Sequence, residues 1–164
     1  MKSNFTNKQI QILEVAETLF AEKGFEGTSI RDISKIAKIN IAMISYYFGS
    51  KERLLESLLF YRTSDLKSQL DHLILEEIAP IDKINKLIEL YISRINKNKG
   101  IYRIIHFEFN SDKRAKSLSA FAELKKGNLK TLENIIEEGQ KRGVFKKEAI
   151  VPLLTPTILG SFFH

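Results

Sequence analysis

Between Gly24 and Leu55 the chain reads GFEGTSIRDISKIAKINIAMISYYFGSKERLL. Ile30, Ile33, Ile36 and Ala37 recur at spacings of three and four, the mark of a helix with one apolar face. Ser29 stands just before that helix with Asp32 three places on, an approximate capping box in which Asp replaces the usual Glu or Gln. Lys38-Ile39-Asn40 interrupts the pattern, and Asn40 is suited to cap a third helix, Ile41 to Phe48. Gly49 ends it, and Ser50 can cap the next. Two short helices joined by about three turn residues, with a supporting helix in front, form a helix-turn-helix pattern.

Outward from this stretch the helical period continues in both directions. The first helix is expected over Asn7 to Lys23, with Ile12, Leu13, Ala16, Leu19 and Phe20 as its stripe and Gly24 as a left-handed stop. A long fourth helix is expected over Lys51 to Ile78, closed by Pro80, with Leu54, Leu58, Leu66, Leu70 and Leu73 among its apolar positions. Further helices are read over Ile81 to Lys97 and, after a break at Asn98-Lys99-Gly100, over Ile101 to Phe109. A turn at Asn110-Ser111-Asp112 leads to a long amphipathic helix from Lys113 to Arg142, weakened at Gly127 and ended by Gly143. A last apolar helix begins at Val151. It stops at His164 without a cap or polar tail, so the chain is expected to be truncated there. The fold class is all-α: a three-helix domain of helix-turn-helix pattern over residues 1–50 and a further helical domain over residues 51–164.

Composition narrows the classes. With 43% hydrophobic and 28% charged residues, the chain has an ordinary globular balance. No apolar run approaches the roughly 18 to 20 residues of a membrane span, and the start lacks a secretory signal, so a cytoplasmic location is expected. There is no cysteine, which excludes disulfides and cysteine-based metal sites. The net charge of +6 and a pI near 9.4 favour an anionic partner. Its placement decides nothing by itself, because a solvated lysine-rich surface accounts for the net charge equally well. Between Ile30 and Lys51 the bases are Arg31, Lys35, Lys38 and Lys51, against Asp32 alone.

A recognition helix must be short and locked from beneath if it is to enter the major groove. Ile44 and Phe48, with Ile33, Ile36 and Phe20, can supply the lock. Asn40, Ala42, Met43, Tyr46 and Tyr47 are then available to bases and phosphates. Helix amino ends attract anions, which brings in Thr28 or Ser29 at the second helix and Lys51 at the fourth. The plainer alternative, a core cluster at Tyr46-Tyr47-Phe48 in an ordinary helical protein, stays open on periodicity alone.

Three segments, ILEVAETLFAEK (Ile12 to Lys23), GFEGTSIRDISKIAK (Gly24 to Lys38) and INIAMISYYFGSKERLL (Ile39 to Leu55), together resemble the amino-terminal domain of the TetR family of transcription regulators. Shared features are the Leu-Phe late in the first helix, Gly-aromatic after it, Thr-Ser before the second, Tyr-Tyr-Phe closing the third and Ser-Lys-Glu opening the fourth. The resemblance covers about a third of the chain; the remainder is compatible only in helix lengths and apolarity. It implies phosphate contacts by Thr28, Ser29, Tyr46 or Tyr47, and Lys51. Base contacts would come from Asn40, Ile41, Ala42, Met43 and Ser45. The chain departs from many members, which have a small polar or basic pair and a glycine near Ile41-Ala42 and often an aromatic at Ser45; apolar Ile41 and Met43 favour some contact with thymine methyls over bidentate guanine reading.

The resemblance further implies a homodimer on double-stranded DNA carrying a pseudo-palindromic operator, with two heads about 34 to 36 Å apart or a multiple. It implies a repressor released by a small-molecule effector of apolar or aromatic character. Tyr91, Tyr102, His106, Phe109 and Phe121 are the candidate pocket residues, with ordinary core packing as the alternative for each. No cofactor or metal is expected. His106 and Glu108 lie two apart, on different sides of a helix, and no catalytic motif occurs, so the chain reads as a non-enzyme. The rival from another class is a protein-interaction module on a helix-turn-helix scaffold that no longer binds DNA.

Overall fold

The computed structural model describes residues 5–109 and 119–148, which form only helices: α1 (Asn7–Lys23), α2 (Ile30–Ala37), α3 (Ile41–Phe48), α4 (Lys51–Leu75), α5 (Pro80–Lys97), α6 (Lys99–Phe109) and α7 (Ser119–Lys141). The expected turn at Asn110, the helix start at Lys113 and the helix from Val151 to His164 lie outside the described residues. Among the described residues no helix is long and apolar enough to cross a membrane.

Local chemistry explains most helix ends. Thr6 and Gln9 close a capping box at α1, an unforeseen one because it lies ahead of the apolar stripe. Ser29 and Asp32 close the expected box at α2: Asp32 N–H donates to Ser29 Oγ at 3.1 Å, and Ser29 N–H donates to Asp32 Oδ2 at 3.1 Å. Asn40 caps α3 by accepting from Ala42 N–H at 2.9 Å, and Ser50 caps α4 by accepting from Arg53 N–H at 3.2 Å. Gly24 ends α1 with φ 73° but ψ 169°, so its backbone is not the left-handed helical conformation expected. That conformation falls instead on Lys38, at φ 52° and ψ 43° after α2. Gln11 of α1 braces this turn by donating to the Ala37 carbonyl at 3.0 Å.

Three boundaries move. The fourth helix stops at Leu75, and Pro80 opens α5 rather than closing α4, because proline's fixed φ and missing N–H suit a first helical position. Gly100 sits inside the first turn of α6 rather than in a break. A Cβ there would lie 2.9 Å from Glu17 Oε1, so the bare backbone allows α6 to approach α1. Gly127 lies within a continuous α7.

The chain forms two compact units that do not follow chain order. One is drawn from Met1–Ser64 and Asn98–Ala122, the other from Asp65–Lys97 and Glu123–His164. The first therefore joins the early turns of α4, and α6, to the head that a division at residue 50 would isolate. Its interior holds Ile12, Leu13, Phe20, Ile33, Ile44, Leu54, Leu58 and Ile101, and burying each large apolar side chain stabilises by about 1.5 to 3 kcal/mol. Arg62 of α4 donates to Glu17 of α1 from both Nε and Nη2 at 2.8 Å, a pair largely withdrawn from water.

The second unit packs Leu66, Leu70 and Leu73 of α4 with Leu87 and Tyr91 of α5 and Leu132, Ile135 and Ile136 of α7. Two cations are buried with it. Lys83, 4% exposed, donates to the Ile74 carbonyl and to Glu138, each at 2.8 Å, and so satisfies a carbonyl that the end of α4 leaves open. Arg94 grips Asp65 with Nη1 and Nη2 at 2.8 and 2.9 Å, the bidentate arrangement a guanidinium favours. The arginine holds the Asp65 carboxyl below its ordinary range, partly opposed by desolvation, and Lys83 does the same for Glu138.

Candidate DNA-binding surface

α3 is eight residues long, with Ile44 and Phe48 four apart on its buried side. Ile33 and Ala37 of α2 join the same interior; Ile36 does not. At 55% exposed, it corrects the expectation that it helps lock α3. It stands one residue, about 100°, from Ala37, beyond the narrow inner line of so short a helix. The opposite side of α3 presents Ile41, Ala42, Met43 and Ser45, with Tyr46 most prominent at 84% exposed. Tyr47 is half-buried, in edge contact with the rings of Tyr46 and Phe48. The two tyrosines are thereby distinguished, as periodicity alone could not do: Tyr46 faces outward and Tyr47 straddles the boundary. Asn40 is exposed; its carbonyl oxygen is spent on the cap, leaving its amide protons for a base.

Three of the expected phosphate contacts have other partners in the structure. Thr28 is 1% exposed, and its one hydroxyl proton points inward to the carbonyls of Leu19 (3.1 Å) and Gly24 (2.8 Å). It ties the link between α1 and α2 rather than meeting solvent. Ser29 is exposed, but its hydroxyl donates to Asp32 at 2.6 Å. That bond, then the Ser29 N–H, lowers the Asp32 pKa, so a carboxylate already occupies the amino end of α2. Lys51 turns inward: its ammonium donates to the carbonyls of Phe25 (2.9 Å) and Thr28 (3.0 Å) and lies 4.2 Å from the centre of the Phe25 ring. Thr28 and Lys51 share one cause, whereas Ser29 is engaged by its own capping box. A polar side chain near buried carbonyls satisfies them first, because an unmet buried group costs about 1 to 3 kcal/mol. Arg31, Lys35, Lys38 and Arg53 remain as exposed cations around α2 and α3. Arg53 was not singled out from sequence; only its placement beside the end of α3 marks it.

The five candidate pocket residues are not brought together within one unit. Tyr91 is part of the leucine-rich interior of the second. Tyr102, buried, and His106, half-buried, lie four apart on α6 in the first. The side chains of Phe109 and Phe121 lie outside the described residues. Among those described, no group of three or more His, Asp or Glu could hold a metal ion.

A short helix locked from beneath, exposed along its outer side and ringed by cations defines a helix-turn-helix DNA-binding regulator. Residues 12–58 match the profile of the TetR family of bacterial regulatory proteins, and residues 62–163 match the C-terminal region of YsiA-like proteins. The chain belongs to the TetR family, whose members are regulators and not enzymes. It is 30% identical over 149 residues to the HTH-type transcriptional repressor NicS of Pseudomonas putida, covering 85% of this chain and 66% of that protein, just under two thirds. It is 26% identical over 157 residues to the fatty acid metabolism regulator protein of Bacillus subtilis, covering 94% and 79%. The crystal structure of HlyIIR, a hemolysin II transcriptional regulator, superposes with a TM-score of 0.78 at 29% identity, over 95% of this chain and 87% of that one.

Proposed function

We propose that the chain is a repressor that binds a pseudo-palindromic operator as a homodimer and leaves it when a small apolar or aromatic effector binds. The outward face of α3, held by Ile44 and Phe48 beneath, carries this reading. Asn40, Ile41, Ala42, Met43 and Ser45 meet base edges; Tyr46, with Tyr47 beside it, meets the backbone. One eight-residue helix reads too few base pairs for specificity, which is the physical case for two heads about 34 to 36 Å apart or a multiple. Repression is supported by NicS, and an apolar effector by the fatty acid regulator. Tyr102 and His106, on one side of α6, are the pocket residues we retain for that effector. α4 is a single helix with residues in both units, which makes it the element through which effector binding alters the head.

Selection of bound fragments from a random duplex pool, at two salt concentrations, tests the proposal. Enrichment of an inverted repeat is the expected result. No enrichment, either with this chain or with one extended at its carboxy end, would leave a protein-interaction module as the better reading.

A further inference from the structure

We propose that Arg53, and not Lys51, is the cation that grips the DNA phosphate beside Tyr46 and Tyr47. The inference rests on the DNA-binding reading above and deepens it. The first turn of α4 offers two cations two residues apart, which leave a helix about 200° from one another. They therefore serve different surfaces. Lys51 faces the α1–α2 link, where two of its three protons are held by the Phe25 and Thr28 carbonyls and the Phe25 ring lies against the charge. Reaching a phosphate would cost it all three contacts.

Arg53 leaves on the other side. It is exposed, makes no ion pair among the described residues, and lines an open groove of about 410 Å³ with Ser45, Tyr46, Tyr47, Glu56 and Ser57. The groove is continuous with the outward face of α3, since Ser45 and Tyr46 belong to both. Gly49, at φ 77° and ψ −62°, makes the turn that brings the end of α3 against this side of α4. Arg53 Cδ and Nη1 lie 3.6 Å from where a Cβ on Gly49 would stand, so the side chain lies along the turn and lines one groove with the tyrosines.

The chemistry suits a phosphodiester. A guanidinium presents parallel N–H groups to two phosphate oxygens, and a tyrosine hydroxyl adds a third donor. Glu56 borders the same groove, half-buried, and its negative charge opposes the phosphate. The site is thus a tuned clamp: one cation supplies attraction and one carboxylate limits it.

The test uses the full chain, a labelled duplex of mixed sequence and the fragment recovered by selection. Arg53→Gln should weaken binding to both by a similar factor, about tenfold. It should also make the plot of log K against log salt shallower by about one, with the thermal midpoint unchanged. Arg53→Lys should restore the slope but only part of the affinity, because the charge returns without the fork. Glu56→Gln should tighten binding. An unchanged affinity and slope in Arg53→Gln would overturn the proposal, as would Lys51→Gln losing the slope at no cost in thermal midpoint. A wild-type chain that binds neither duplex would instead overturn the DNA-binding reading itself.

Discussion

The head and the second unit treat polarity in opposite ways. In the head, apolar Ile41 and Met43 and the ring of Tyr46 stand in solvent while the interior is almost wholly hydrocarbon. In the second unit the cations Lys83 and Arg94 are drawn inside. An apolar group left in water is stabilised when a partner covers it, so in the proposed function the exposed groups of the head are the ones DNA would cover. A buried cation is costly unless paired, so the second unit holds its helices in register by pairing: Arg94 with Asp65 across 29 residues and Lys83 with Glu138 across 55. The head settles its helix ends locally, within two or three residues, at Thr6, Ser29, Asn40 and Ser50. Its Glu17–Arg62 pair is the exception that resembles the second unit.

The contrast breaks most sharply at the lock beneath α3. Ile44→Ala should cost about 3 kcal/mol, read as a fall in urea midpoint, with DNA affinity lost alongside. A cost below about 1 kcal/mol would mean that the head's interior does not hold α3. Next comes the Arg94 grip. Asp65→Asn should cost about 2 kcal/mol, because a nearly buried guanidinium loses its charged acceptor. The same pair sets a pH dependence. Asp65 has its folded pKa depressed, so its stabilisation is complete above the ordinary carboxyl value, about 3.9, and is lost as pH falls through the folded one. Melting the wild type and Asp65→Asn between neutral and strongly acid pH should show their midpoints converging at the acid end. Parallel curves would assign the acid loss to other carboxylates. The smallest expected effect is a gain. Lys38 holds a left-handed conformation that glycine adopts without penalty, so Lys38→Gly should stabilise by up to about 1 kcal/mol while Lys38→Ala does not. A fall in thermal midpoint for Lys38→Gly would show that the lysine side chain contributes more than its backbone costs.

These differences also explain what was legible beforehand. The bounds of α1 and α3, the Ser29–Asp32 box and the Asn40 and Ser50 caps follow from residues adjacent in sequence, and the structure places them as read. Ile36 was misplaced because spacings of three and four look alike until a neighbour selects the inner line. Thr28 and Lys51 were assigned to phosphates from their positions at helix starts; their carbonyl partners lie late in α1 and in the link after it, whose path a periodicity argument does not describe. Tyr91, Tyr102 and His106 were grouped by aromatic character, a property that carries no information on which helices meet.

The sequence alone determined the all-helical class, the helix-turn-helix with its caps, and the family to which the chain belongs, because each rests on interactions spanning a few residues. Only the tertiary structure decided that Tyr46 rather than Tyr47 faces outward, that Lys51 is spent inward and Arg53 is not, and that Lys83 and Arg94 are buried beside their carboxylates. Those outcomes depend on which carbonyls, rings and charges distant segments bring within about 3 to 4 Å, the range over which a hydrogen bond or ion pair forms.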